Sequence, residues 1–161
     1  MSEIITWTLD YASRNKFIFG GCIKIEYSIK KLWDLLTSPQ HLIKVHPLCT
    51  SHQTEEWIGI GSKDIVIYKN GGQRNRTVID WDTEKLLRLT VEEDFNHQES
   101  IVSYHLKKVN DTCELCIQVE TEAYKNIPRP IWKLYAKLFL LPQHKKYFGG
   151  LLSGFANYKE N

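Results

Sequence analysis

From residue 63 to residue 122 the chain passes through one strand-like stretch after another, and the links between them have room only for turns. "DIVIYKN" is a compact β-branched run closed by Gly71-Gly72. "RNRTVIDWD" sets Arg76, Val78 and Asp80 against Thr77, Ile79 and Trp81. "KLLRLTVEE" lines up Leu87, Leu89 and Val91, and "SIVSYHLKKV" lines up Val102, Tyr104 and Leu106. In "TCELCIQVETEAY" the residues Cys113, Leu115, Ile117 and Val119 oppose Glu114, Cys116, Gln118 and Glu120. A period of two is the mark of a half-buried strand. The connections "DWDTEK", "DFNHQE" and "VNDT" are short and polar, as hairpin loops are. The pattern predicts a meander of antiparallel strands.

Helical signals bracket the meander. Upstream, "KFIFGGCIKIEYS" reads as a strand, followed by Ile29, Leu32, Trp33, Leu35 and Leu36 at helical spacing. Ser38-Pro39 then predicts a cap with proline at the first position of a second short helix, which Pro47 should end near His46. "IGIGSKD" supplies a glycine-based turn. Downstream, the Pro-Arg-Pro signal of residues 128–130 opens a long helix that places Ile131, Leu134, Tyr135, Leu138 and Leu141 at three- and four-residue intervals, bent or split at Pro142 and weakened by Gly149, Gly150 and Gly154. Ahead of everything, Ile5, Trp7, Leu9 and Tyr11 alternate as an extra strand within residues 1–16.

The 161 residues match one domain, and a domain of this size buries roughly 70% of its unfolded surface, enough for a core with an internal pocket. A net charge of +2 with scattered lysines and arginines argues against a nucleic-acid surface. The first residues lack the basic start and apolar stretch of a signal peptide, and no run reaches the roughly 18 apolar residues of a membrane span. The expectation is a cytoplasmic protein with no cofactor, a monomer or weak homodimer. In that setting Cys22, Cys49, Cys113 and Cys116 are expected to stay reduced. Cys113 and Cys116 form C-x-x-C, but an offset of three in a strand sends the thiols to opposite faces, which argues against a metal or redox pair. His46, Cys49 and His52, with His41 nearby, have zinc-capable side chains, yet their spacing crosses a helix end and no fourth ligand is evident, so no metal is expected.

The order of elements resembles the START-like, birch-pollen-allergen-like superfamily of polyketide cyclases and lipid-transfer proteins, the helix-grip fold. The resemblance covers roughly residues 17–157 and rests on "IEYSIKKLWDLLTSPQHLIKVHP", on "WIGIGSKD" and on the terminal helix. It implies an α+β fold in which a curved antiparallel sheet of six or seven strands wraps the C-terminal helix around an internal cavity. In that superfamily the cavity holds apolar or amphipathic small molecules, and some members do chemistry there.

The cavity candidates are His46 at the rim, Tyr68, Arg76, Trp81, Tyr104 and His105 on the sheet, and Trp132, Tyr135 and Phe139 on the helix. Trp33 and Trp57 read as core aromatics. Arg76, if it turns inward, needs an anionic partner. Three functions remain open. One is carriage or sequestration of an apolar or amphipathic molecule such as a lipid, a polyketide-like compound or an aromatic. The second is a cyclase or dehydratase-like enzyme using His105, Tyr104 or Arg76. The third is a protein-interaction module built on the N-terminal strand.

Overall fold

A computed structural model of the chain describes residues 5–10, 16–54, 57–93, 99–122 and 127–159; Tyr11 and most of the "DFNHQE" loop lie outside them. Its sheet is built from β1 (Thr6–Asp10), β2 (Lys16–Ile25), β3 (Cys49–Thr54), β4 (Lys63–Tyr68), β5 (Gln73–Asp82), β6 (Leu86–Glu93), β7 (Glu99–Val109) and β8 (Thr112–Glu122). The eight strands lie in the order β1-β2-β8-β7-β6-β5-β4-β3, every pair antiparallel. Strands β3 to β8 form the expected meander, and β2 closes onto the last strand.

The two short helices are α1 (Ile29–Leu36) and α2 (His41–Val45). Ser28 caps α1 by accepting from the Lys31 N–H, and Leu32, Trp33, Leu35 and Leu36 are buried. The entry to α2 differs from the expected proline start. Ser38 instead donates to the Leu35 carbonyl, and Gln40, at φ 58°, caps α2 in the left-handed conformation. Pro47 ends the helix where expected, with His46 as its C-cap.

The C-terminal helix runs as α3 (Arg129–Tyr135), a π-helical turn (Ala136–Leu140) and α4 (Leu141–Ala156). The π turn falls just ahead of Pro142, which lacks the N–H an α-helix would use at that point. It also sets which face meets the sheet. Trp132, Ala136 and Phe148 are buried, and Leu140 packs against the core. A row of residues four apart drifts about 40° per step in an α-helix, and the wider π turn removes part of that drift. The helically spaced residues Ile131, Leu134, Tyr135 and Leu138 therefore face solvent, and only Leu141 of that set packs inward.

Two further features were hidden in the register. Strand β1 pairs with β2 of its own chain, and the Trp7 ring lies across Gly21, stacked on Phe19 at 5.2 Å. Cys22 stands directly opposite Cys116 on the outer faces of β2 and β8, and the two form a disulfide, contrary to the expectation that all four cysteines stay reduced. Their separation of 94 residues gave no hint of that pairing. Cys49 and Cys113 remain free.

Candidate functional site

The inner face of the sheet carries a charged pair. Asp64 on β4 and Arg76 on β5 are directly opposite each other, and both are buried. Arg76 Nε donates to Asp64 Oδ1 at 2.7 Å and Nη2 donates to Oδ2, a two-pronged contact that fixes the pair. Arg76 thus faces inward, and its anionic partner is supplied by the chain itself. Burial alone would raise the Asp64 pKa, but the guanidinium and two hydrogen bonds hold it at about 2. The Arg76 guanidinium also lies 5.3 Å over the Trp57 ring.

Histidines extend the pair toward α2. His52 Nδ1 accepts the Leu42 N–H at 3.3 Å, so Nε2 carries the ring proton and donates it to Asp64 Oδ2 at 2.7 Å. His52 thereby ties α2 to the sheet. His41 Nδ1 donates to the Ser38 carbonyl at 3.1 Å, which leaves Nε2 as a bare acceptor. Among the described residues that atom is buried with no partner, and so is the Trp57 Nε1–H donor, whose ring centroid lies 5.1 Å from that of His41. Trp81 lies edge-on to both Trp57 and Trp33, at 6.5 and 5.3 Å.

A second cluster flanks the other side of α2. His46 Nδ1 accepts the Leu48 N–H, leaving a buried Nε2 donor with no partner among the described residues. Its ring sits 4.4 Å from that of Tyr147, whose hydroxyl is hydrogen-bonded to that of Tyr68. Burial pushes the Tyr68 and Tyr147 hydroxyls up, and drives Tyr104, beside Arg76, up to about 12, so all three stay protonated donors.

Of the residues expected to line the interior, His46, Tyr68, Arg76, Tyr104 and Trp132 are buried, and Trp81 packs among the inner aromatics. Trp81 does so because a bulge between Val78 and Asp80 reverses the alternation of β5, turning it to the side of Arg76 rather than opposite it. Three expectations are corrected. His105 is exposed, on the face of β7 opposite the buried Tyr104, while Tyr135 and Phe139 are 40% and 56% exposed on the outer side of the terminal helix. Sequence reasoning passed over Asp64, and it left His41, His52 and Trp57 out of the interior set. The signal available for Asp64 was the strand alternation that also turns Val66 and Tyr68 inward.

Both clusters make folding sensitive to mild acid. Burial, with Arg76 adding repulsion, lowers His46 to about 4; burial, Arg76 and His52 hold His41 well below its ordinary 6.5. The unfolded chain therefore binds more protons than the folded one between these values. Stability is full above about pH 6.5 and falls as the pH drops toward 4, with Asp64 adding a further loss between about 3.8 and 2. Urea midpoints at pH 7, 5.5 and 4.5 should decline in that order, and a flat profile would contradict the neutral, buried histidines.

The sheet gripping a long C-terminal helix, with two short helices between β2 and β3, is the helix-grip fold expected from the sequence. Ara h 8.0201 is similar over 88% of this chain and 95% of its own, with a TM-score of 0.67 and 13% identity. A Rhodobacter sphaeroides protein is similar over 93% of this chain and 95% of its own, with a TM-score of 0.64 and 15% identity. DynU16, of the dynemicin biosynthetic locus, shares 12% identity at a TM-score of 0.60 over 83% of this chain, which spans only 45% of the DynU16 chain. No family model and no curated protein matches the sequence. Identities this low establish the fold and leave function to the site itself.

Proposed function

We propose that the chain binds an amphipathic small molecule between the sheet and the C-terminal helix, its apolar body against the inner aromatics and a hydroxyl-like polar end at His41 and Trp57, for carriage or sequestration. The observation that supports this reading is a pair of atoms without partners among the described residues, the His41 Nε2 acceptor and the Trp57 Nε1–H donor, on adjacent rings in a buried aromatic setting. A buried polar group left without a partner costs about 1–3 kcal/mol, and a group that both donates and accepts would satisfy the two atoms together. Trp81 and Phe155 supply apolar surface next to these rings. The helix-grip fold is consistent with such a role, since pockets of this kind are mostly apolar with a few convergent polar groups.

The enzymatic alternative loses His105, which faces outward, and keeps Arg76 and Tyr104. It gains the His41 lone pair, whose tautomer is fixed by Ser38 as that of a general base would be. Native mass spectrometry of freshly purified protein, followed by solvent extraction, tests the binding reading. A bound organic molecule carrying a hydroxyl or carbonyl is expected. Protein that carries only water and takes up no member of a panel of long-chain alcohols and phenols would overturn it. Chemical change in a bound panel member would favour the enzyme.

A further inference from the structure

The period of the terminal helix has no use inside the protein. Ile131, Leu134, Tyr135 and Leu138 recur at the three- and four-residue spacing of one helix face, yet they are 59%, 59%, 40% and 56% exposed, with Phe139 beside them at 56%. The inward side of the same turns is already filled by Trp132 and Ala136. Single exposed apolar residues are ordinary, but a contiguous stripe of five on one helix marks a surface that something covers.

Charge identifies the covering surface. Residues 127–159 hold Arg129, Lys133, Lys137, Lys145, Lys146 and Lys159 and not one of the chain's 19 acidic residues. Lys137, between Leu134 and Leu138 in the chain, is exposed, and Lys145 and Lys146 are exposed about two turns farther along. A second copy of the chain would bring like charges together across a symmetric contact, which disfavours self-association through this face. Apolar and aromatic side chains flanked by lysines and free of acids fit the boundary of an anionic bilayer, where the rings enter the headgroup layer and each lysine is attracted to the surface potential.

We propose that the segment Arg129–Leu140 is a peripheral docking face for anionic lipid bilayers, with Ile131, Leu134, Tyr135, Leu138 and Phe139 entering the interface and Lys137 and, farther along, Lys145 contacting lipid headgroups. The proposal is independent of the interior site. A protein that exchanges an amphipathic molecule with a bilayer would use both.

Cosedimentation with large unilamellar vesicles tests it, comparing pure phosphatidylcholine with a 70:30 mixture of phosphatidylcholine and phosphatidylserine. The intact chain should pellet with the anionic vesicles, at least tenfold more strongly than with the neutral ones, and 0.5 M NaCl should release most of it. Leu134→Ser with Leu138→Ser should abolish pelleting, and Lys137→Glu with Lys145→Glu should remove the preference for anionic lipid. All four side chains are exposed, so circular dichroism and thermal melting should match the parent protein. Two results would overturn the proposal. One is folded parent protein that stays in the supernatant with anionic vesicles. The other is a concentration-dependent dimer in analytical ultracentrifugation that the serine substitutions dissolve, which would assign the stripe to a protein partner.

Discussion

Arg76→Met should cost about 3–5 kcal/mol of stability at pH 7, read as a lowered urea midpoint in a chain that still folds in the cold. The substitution keeps volume and apolar stem but leaves Asp64 buried with His52 as its remaining side-chain partner. Arg76 is what outweighs the burial of Asp64 and holds its pKa at about 2. Without the guanidinium, burial dominates and the Asp64 pKa rises above its unfolded value. A raised carboxyl loses stability as the pH climbs, so the deficit relative to the parent protein should be largest near neutrality and shrink toward pH 4. Asp64→Leu combined with Arg76→Met should recover most of the loss, because replacing a whole buried pair by apolar groups costs far less than orphaning one member. A single substitution costing under about 1 kcal/mol would place the pair at a wet surface and contradict its burial.

Gly154→Ala is the second large effect. On an open helix surface the change would add about 1 kcal/mol of stability, since glycine is the poorer helix former. Here a Cβ would sit 1.6 Å from the Val45 carbonyl oxygen, so the backbones of α2 and α4 would have to separate. The expected cost is about 3 kcal/mol, and the displaced α2 would take with it the Leu42 N–H that fixes His52, and His41 and His46 themselves. Gly150→Ala is the matched comparison. Its Cβ would meet only the Pro47 ring at 3.0 Å, a contact that a small shift relieves. Stabilisation by both substitutions would mean that α2 does not pack on α4.

The elements legible in the sequence were those set by local chemistry. Alternation placed β5 to β8, Pro47 stopped α2 at His46, and the spacing of Leu32, Trp33, Leu35 and Leu36 gave the buried face of α1. What escaped depends on register and on single-residue insertions. The bulge between Val78 and Asp80 turned Trp81 to the other face of β5. The π turn at Ala136–Leu140 rotated the terminal helix so that its most regular apolar stripe points outward. Pairing across strands brought Asp64 opposite Arg76 and Cys22 opposite Cys116, and nothing in the local pattern of either partner announces the other. The same limit hid the proposed site, whose two polar atoms belong to His41 on α2 and to Trp57 in the β3–β4 turn. Gly154 illustrates the reversal most simply. As a helix residue it looks like a weakness, and in the fold it is the opening that admits Val45.

The central claim is that His41 and Trp57 receive the polar end of an amphipathic ligand, and the Trp57 indole N–H resonance reports on it directly. The measurement is a pair of ¹H–¹⁵N titrations of the extracted protein with 2-naphthol and with naphthalene, ligands of nearly equal apolar surface that differ by one hydroxyl. The account predicts that 2-naphthol saturates a single site, shifts the Trp57 indole resonance downfield, and binds at least tenfold more tightly than naphthalene, with the difference lost in His41→Phe and in Trp57→Phe. Equal affinities for the two ligands, or a Trp57 resonance that does not move while 2-naphthol binds, would contradict it.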